Sequence, residues 1–123
     1  MARPAAGAPR ETQWLSFFDA GSSELTPRSQ QIFRHAAETI LRYREGRIWV
    51  YGHCDTAEAP REERRLSRTR ATAVVAFLRL NGVTNFSVVI HAMGGISLLV
   101  PTEDNVSEIQ NRRVEVFWGP PLI

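Results

Sequence analysis

The sequence predicts an α/β two-layer sandwich of order β-α-β-α-β-β, with a mixed four-stranded sheet and two main helices on one face. Three observations predict it. Two stretches carry apolar residues at three- and four-residue spacing, and short runs of β-branched and aromatic residues flank each one. A helix between two strands is a crossover, so part of the sheet is parallel. The chain has 123 residues, the size of one domain with one core.

Met1–Arg10 is rich in Ala, Pro and Gly, and residues 1–13 are expected to be a disordered lead-in. Residues 14–118 form the domain and residues 119–123 a short tail. Trp14–Asp19 reads as the first strand, entering the turn Asp19-Ala20-Gly21-Ser22-Ser23. Thr26-Pro27 marks a helix start, with Thr as N-cap and Pro at the first helical position. Ile32, Phe33, Ala36, Ala37, Ile40 and Leu41 form its apolar face, and Gly46 is expected to stop it. Arg47–His53 is the second strand. Its large side chains fall on both faces, which suits an inner position.

Cys54–Pro60 reads as a loop and Arg61–Leu80 as the second helix, with Glu62 and Glu63 in the first turn, favourable to the helix dipole. Leu66, Arg70, Val74, Phe77 and Leu78 share one side, and Asn81-Gly82 ends it. Phe86–His91 is the third strand, broken by Met93-Gly94-Gly95. Pro101–Gln110 is a loop with room for a helical turn, and Arg113–Trp118 closes the sheet.

Composition narrows the function. Fifteen basic and 13 acidic residues leave a net charge of only +2. The pI of 9.3 is high because every basic residue is Arg, which does not titrate in the usable range. Arg and Glu are interleaved in Arg61-Glu62-Glu63-Arg64-Arg65, the pattern of a solvated helix face, so no nucleic acid is expected as partner. No apolar run approaches the roughly 18 residues of a membrane span. The start lacks the apolar core of a signal peptide. One cysteine, Cys54, excludes an intrachain disulfide framework and a zinc site built on paired cysteines.

Catalytic chemistry finds no support. His35, His53 and His91 lack ligand-like spacing. His53 and Cys54 are neighbours at a strand end and face opposite sides. There is no Gly-x-Ser-x-Gly elbow and no phosphate-binding glycine motif. No enzymatic activity, cofactor or metal is expected.

One pair of charges stands out. Asp55 lies just past the second strand, and Arg70 lies on the apolar face of the following helix. An Arg there needs a partner. One reading is a salt bridge between the two. The other is a site for a zwitterion, in which the carboxylate takes an ammonium and the guanidinium takes a carboxylate two-pronged.

Four segments, in order, carry a resemblance. They are Gly52-His53-Cys54-Asp55, then Leu66-Ser67-Arg68-Thr69-Arg70-Ala71 with Val74, then Gly94-Gly95 and Pro101, then Asn111-Arg112-Arg113-Val114-Glu115. Together with Phe17-Phe18-Asp19 and Leu25 they resemble the OmpA-like peptidoglycan-binding domain over about Phe17 to Val116. That family is found in outer-membrane protein A tails, peptidoglycan-associated lipoprotein and MotB. The resemblance implies binding of the cell-wall stem peptide without cleavage, with meso-diaminopimelate as the ligand group. It implies a periplasmic or cell-envelope location within a larger envelope protein.

The family's ligand Asp falls on Asp55 and its ligand Arg on Arg70, and Arg112 matches an Arg close to the site. The implied ligand set is Asp55, Arg70, Arg112, Glu63 and Ala57. The sequence departs from the pattern at four places. Cys54 stands where Thr, Ser or Ala is usual, Thr56–Pro60 lacks a common Gly, Glu63 replaces an Asn, and Glu108 replaces a frequent Arg. Ionised Glu only accepts hydrogen bonds. Glu63 therefore either weakens the site or binds a second ammonium. In the first case the domain is an interaction module that has kept the fold and lost the wall ligand.

Overall fold

The computed structural model describes residues 13–43, 46–62 and 64–119. Strands β1 (Gln13–Phe17), β2 (Arg47–Gly52), β3 (Ser87–Ala92) and β4 (Arg113–Gly119) form one sheet. Helices α1 (Pro27–Leu41), α2 (Ala59–Glu62) and α3 (Arg65–Leu80) connect them, and a 3-10 turn at Ile109–Asn111 precedes β4. The sheet order is β1-β4-β2-β3. β2 and β3 are parallel, joined by the α3 crossover, and β4 runs antiparallel to both β1 and β2. This is the mixed four-stranded sandwich that the periodicities predict. Both the lead-in, residues 1–12, and the last residues, 120–123, lie outside the described residues; Gln13 and Gly119 belong to strands.

Both ends of α1 follow from local chemistry. Thr26 caps α1 through its Oγ1, which accepts from the Ser29 amide, with Pro27 in the first turn. α1 ends at Leu41, before the expected stop at Gly46. The Arg42 and Tyr43 amides bond back to the Thr39 and Ile40 carbonyls, three residues away, which tightens and closes the last turn. Leu41, expected on the buried face, is 41% exposed there. β2 is indeed an inner strand. Ile48 and Val50 face the helices and pack with Phe33, Ile40, Val74, Leu78, Val114 and Trp118 in the main core. Trp49 and Tyr51 point the other way and pack with Phe117 in a second, smaller cluster.

The single helix expected over Arg61–Leu80 is corrected. Two helices, α2 and α3, take its place, and α2 begins inside the segment read as a loop. The reason lies at Asp55. Its Oδ1 accepts from the Glu58 amide at 2.8 Å, and Glu58 Oε1 accepts from the Asp55 amide at 3.2 Å. That reciprocal pair is a capping box, and it starts helical backbone bonding early, with the Ala59 amide on the Asp55 carbonyl.

Candidate functional site

The site is built where β2 ends against the start of α3. Gly52 makes this approach possible, because a Cβ there would overlap the Ser67 carbonyl oxygen. The chain then runs through His53, Cys54 and Asp55, all buried, into the capping box. Asp55, Ala57, Glu58, Arg61 and Glu62 from this segment line a cleft of about 370 Å³, together with Ala20, Gly21, Leu66 and Ser107. Asp55 and Ala57, two of the residues proposed from sequence, therefore share one cleft. Glu63 lies outside the described residues.

Asp55 is fully buried. Its Oδ2 accepts from Arg112 Nη1 at 2.9 Å and from the Glu108 amide at 3.1 Å, and its Oδ1 holds the Glu58 amide. Burial alone would raise its pKa. The Arg112 hydrogen bond, the two backbone amides and the charge of Arg112 outweigh burial, and hold the carboxyl below its ordinary 3.8. Arg112 is braced in turn by the Phe18 carbonyl through Nε and by Ser107 Oγ through Nη1. The neighbouring Asn111, also buried, accepts from the Leu99 and Val100 amides and donates to the Val100 carbonyl, which fixes the loop beside it.

Arg70 is corrected in one respect. The direct salt bridge to Asp55 is not formed. Arg70 is completely buried and pairs with Glu58, Nη1 to Oε1 and Nη2 to Oε2, both at 2.8 Å. Its other donors go to backbone carbonyls: Nε to Ser22, Nη1 to His53 and Nη2 to Asp19. The guanidinium carbon lies 5.3 Å from the centre of the Phe18 ring. Two acid–arginine pairs thus sit side by side, Asp55 with Arg112 and Glu58 with Arg70, and Glu58 bridges them through the capping box.

Glu58 is the residue that sequence reasoning missed. The Asp-x-x-Glu spacing of Asp55 and Glu58 was the available signal, since it is the signature of a capping box. Burial pushes the Cys54 thiol up to about 11, against the lowering effect of Arg70. His53 is tied through Nε2 to Glu115 at 2.8 Å. Among the described residues no cluster of side chains suits a metal ion, and no helix is long and apolar enough to cross a membrane. The arrangement presents fixed carboxylates at a cleft, which suits recognition of a cationic group.

Residues 17–112 match the sequence profile of the OmpA family. The chain belongs to the OmpA family. It is 40% identical over 110 residues to a protein named "Outer membrane protein" from Gluconacetobacter diazotrophicus, covering 85% of this chain and 29% of that one. This OmpA-family chain thus spans under a third of that relative's length. Its fold is similar to that of the peptidoglycan-associated lipoprotein from Burkholderia pseudomallei, with a TM-score of 0.68 and 22% identity over 88% of this chain and 90% of that one. It is also similar to the OmpA-like domain of FopA1 from Francisella tularensis (TM-score 0.72, 17% identity, 88% and 72% covered). A third similar structure is the cell wall anchor of the T6SS from Pseudomonas aeruginosa (TM-score 0.59, 20% identity, 87% and 82% covered). At these identities the likeness establishes the shared OmpA-like fold.

Proposed function

We propose that this OmpA-family domain binds peptidoglycan without cutting it, through the diaminopimelate of the stem peptide, and so holds a larger envelope protein to the cell wall. The observation that carries this reading is Asp55, a carboxylate held ionised by Arg112 and two backbone amides at the edge of the 370 Å³ cleft. A preorganised carboxylate in a confined cleft is suited to the ammonium of a diamino acid. Ala57 forms wall and Arg112 positions Asp55; Glu63 belongs to the proposed ligand set on the sequence alone. The names of two structural relatives, a peptidoglycan-associated lipoprotein and a cell wall anchor, support the reading.

A second reading, an interaction module that has lost the wall ligand, is favoured by one observation. Every N–H of Arg70 is already used within the domain. Two-pronged capture of a ligand carboxylate by Arg70 requires Glu58 to leave it.

A pull-down on purified sacculi tests the proposal. The wild-type domain should sediment with sacculi, and Asp55→Asn, checked for folding by circular dichroism, should lose at least about tenfold in affinity, the usual scale for removing one charge from a desolvated pair. Unchanged binding by the variant would sink the assignment of Asp55. A wild-type domain that stays in the supernatant favours the interaction module. Arg70→Ala is the less direct probe, because all five of its N–H groups are already bonded within the domain and its loss strands the buried Glu58 carboxylate.

A further inference from the structure

Arg70 and Glu58 set the selectivity of the cleft, an inference that rests on the peptidoglycan reading above. A guanidinium has five N–H donors. Arg70 meets five acceptors, and two of them are the parallel carboxylate oxygens of Glu58 at 2.8 Å. That fork is the arrangement a free ligand carboxylate would receive. Glu58 is closed as well. Oε1 also accepts from the Asp55 amide and Oε2 from the Gly21 amide at 2.7 Å, so its roughly four acceptor positions are filled. Asp55 differs. Three donors occupy it, and one of its roughly four acceptor positions remains on a residue that lines the cleft, its side chain about 1% exposed.

We propose that Glu58 is a built-in substitute for the ligand carboxylate, so that the cleft reads the side-chain amine of the stem peptide's diamino acid and not the carboxylate beside it. A ligand carboxylate entering the fork would exchange one carboxylate for another and leave Glu58 buried without its cation, so the exchange has no driving force. The accepted class is therefore any stem peptide with a free terminal amine: diaminopimelate with its carboxylate free, diaminopimelate with that carboxylate amidated, and lysine.

The test is a calorimetric titration of the wild-type domain with four synthetic stem tripeptides, carrying those three residues and, fourth, diaminopimelate acetylated on the side-chain amine. The first three should bind within about threefold of one another, and acetylation should weaken binding by about tenfold or more. Glu58→Gly, which vacates the fork, should acquire at least about a tenfold preference for the free carboxylate over the amide. The wild-type comparison decides the matter even if that variant does not fold. A wild-type preference of about tenfold for the free carboxylate would overturn the proposal, since Glu58 would then yield to the ligand. So would undiminished binding of the acetylated peptide. If none of the peptides binds, the peptidoglycan reading itself fails, an outcome distinct from any change in selectivity.

Discussion

Asp55 shows how a buried residue carries stability at the cleft proposed to take the ligand. It is fully buried, yet three donors hold it ionised, and its pKa lies below 3.8. A carboxylate depressed in the folded state contributes stability that is complete above its unfolded pKa of about 3.9 and is lost as the pH falls through the lower folded value. Acid should therefore destabilise the wild type through this group only below about pH 4. In Asp55→Asn that contribution is absent at every pH. The variant should melt lower at neutral pH, by about 3 kcal/mol, since Arg112 loses its buried counter-charge. Melting curves from pH 2 to 7 should show the gap between the two proteins closing toward acid; a constant gap would mean that Asp55 is not ionised in the fold. Asp55 and Arg112 were legible in the sequence through their motifs. The partner of Arg70 was not, because Glu58 sat in a segment without helical periodicity.

At the scale of elements, the site depends on how closely β2 meets α3. Gly52 backs directly onto the Ser67 carbonyl, and Ser67 Oγ accepts from the Gly94 amide beyond β3. Gly52→Ala must push the helix start away from the strand end, and overpacking of this kind typically costs about 1–3 kcal/mol. Urea unfolding should show a lower midpoint with an unchanged slope. An unchanged midpoint would mean that β2 and α3 separate freely at this end. The same region explains the split helix. Side-chain periodicity over 61–80 described the buried face of α3 correctly, with Leu66, Val74 and Leu78 inside. It carried no information on the capping box, which starts a separate turn of helix at Ala59–Glu62.

At the scale of the whole molecule, the charges divide into two populations. The Arg70–Glu58 and Arg112–Asp55 pairs are buried, whereas Arg65–Glu62 is a surface pair between the end of α2 and the start of α3. Salt screens exposed charges strongly and buried pairs little. The melting temperature should therefore move by no more than about 2 °C between 0.05 and 0.5 M NaCl, roughly a few tenths of a kcal/mol in a domain of this size. A fall of about 10 °C would assign most of the electrostatic stabilisation to the surface.

The sequence by itself determined the order of the strands and of the two main helices, the capped start of α1 and the inner position of β2, each from patterns within a few residues, such as a spacing of three or four, an alternation, or a cap. The grouping of Arg112 with Asp55 and Arg70 came from the motifs that carry the family resemblance. Only the tertiary structure decided which acid meets which arginine. Arg70 reaches Glu58 across the turn before α3, Asp55 reaches Arg112 from the far end of the chain, and Asp19 and Ser22 close over Arg70 from the first turn. Those partners are chosen by the crossover of β2 into α3 and by the antiparallel return of β4 beside it. Ion pairing inside a core is set by which elements pack together, and local periodicity does not encode that.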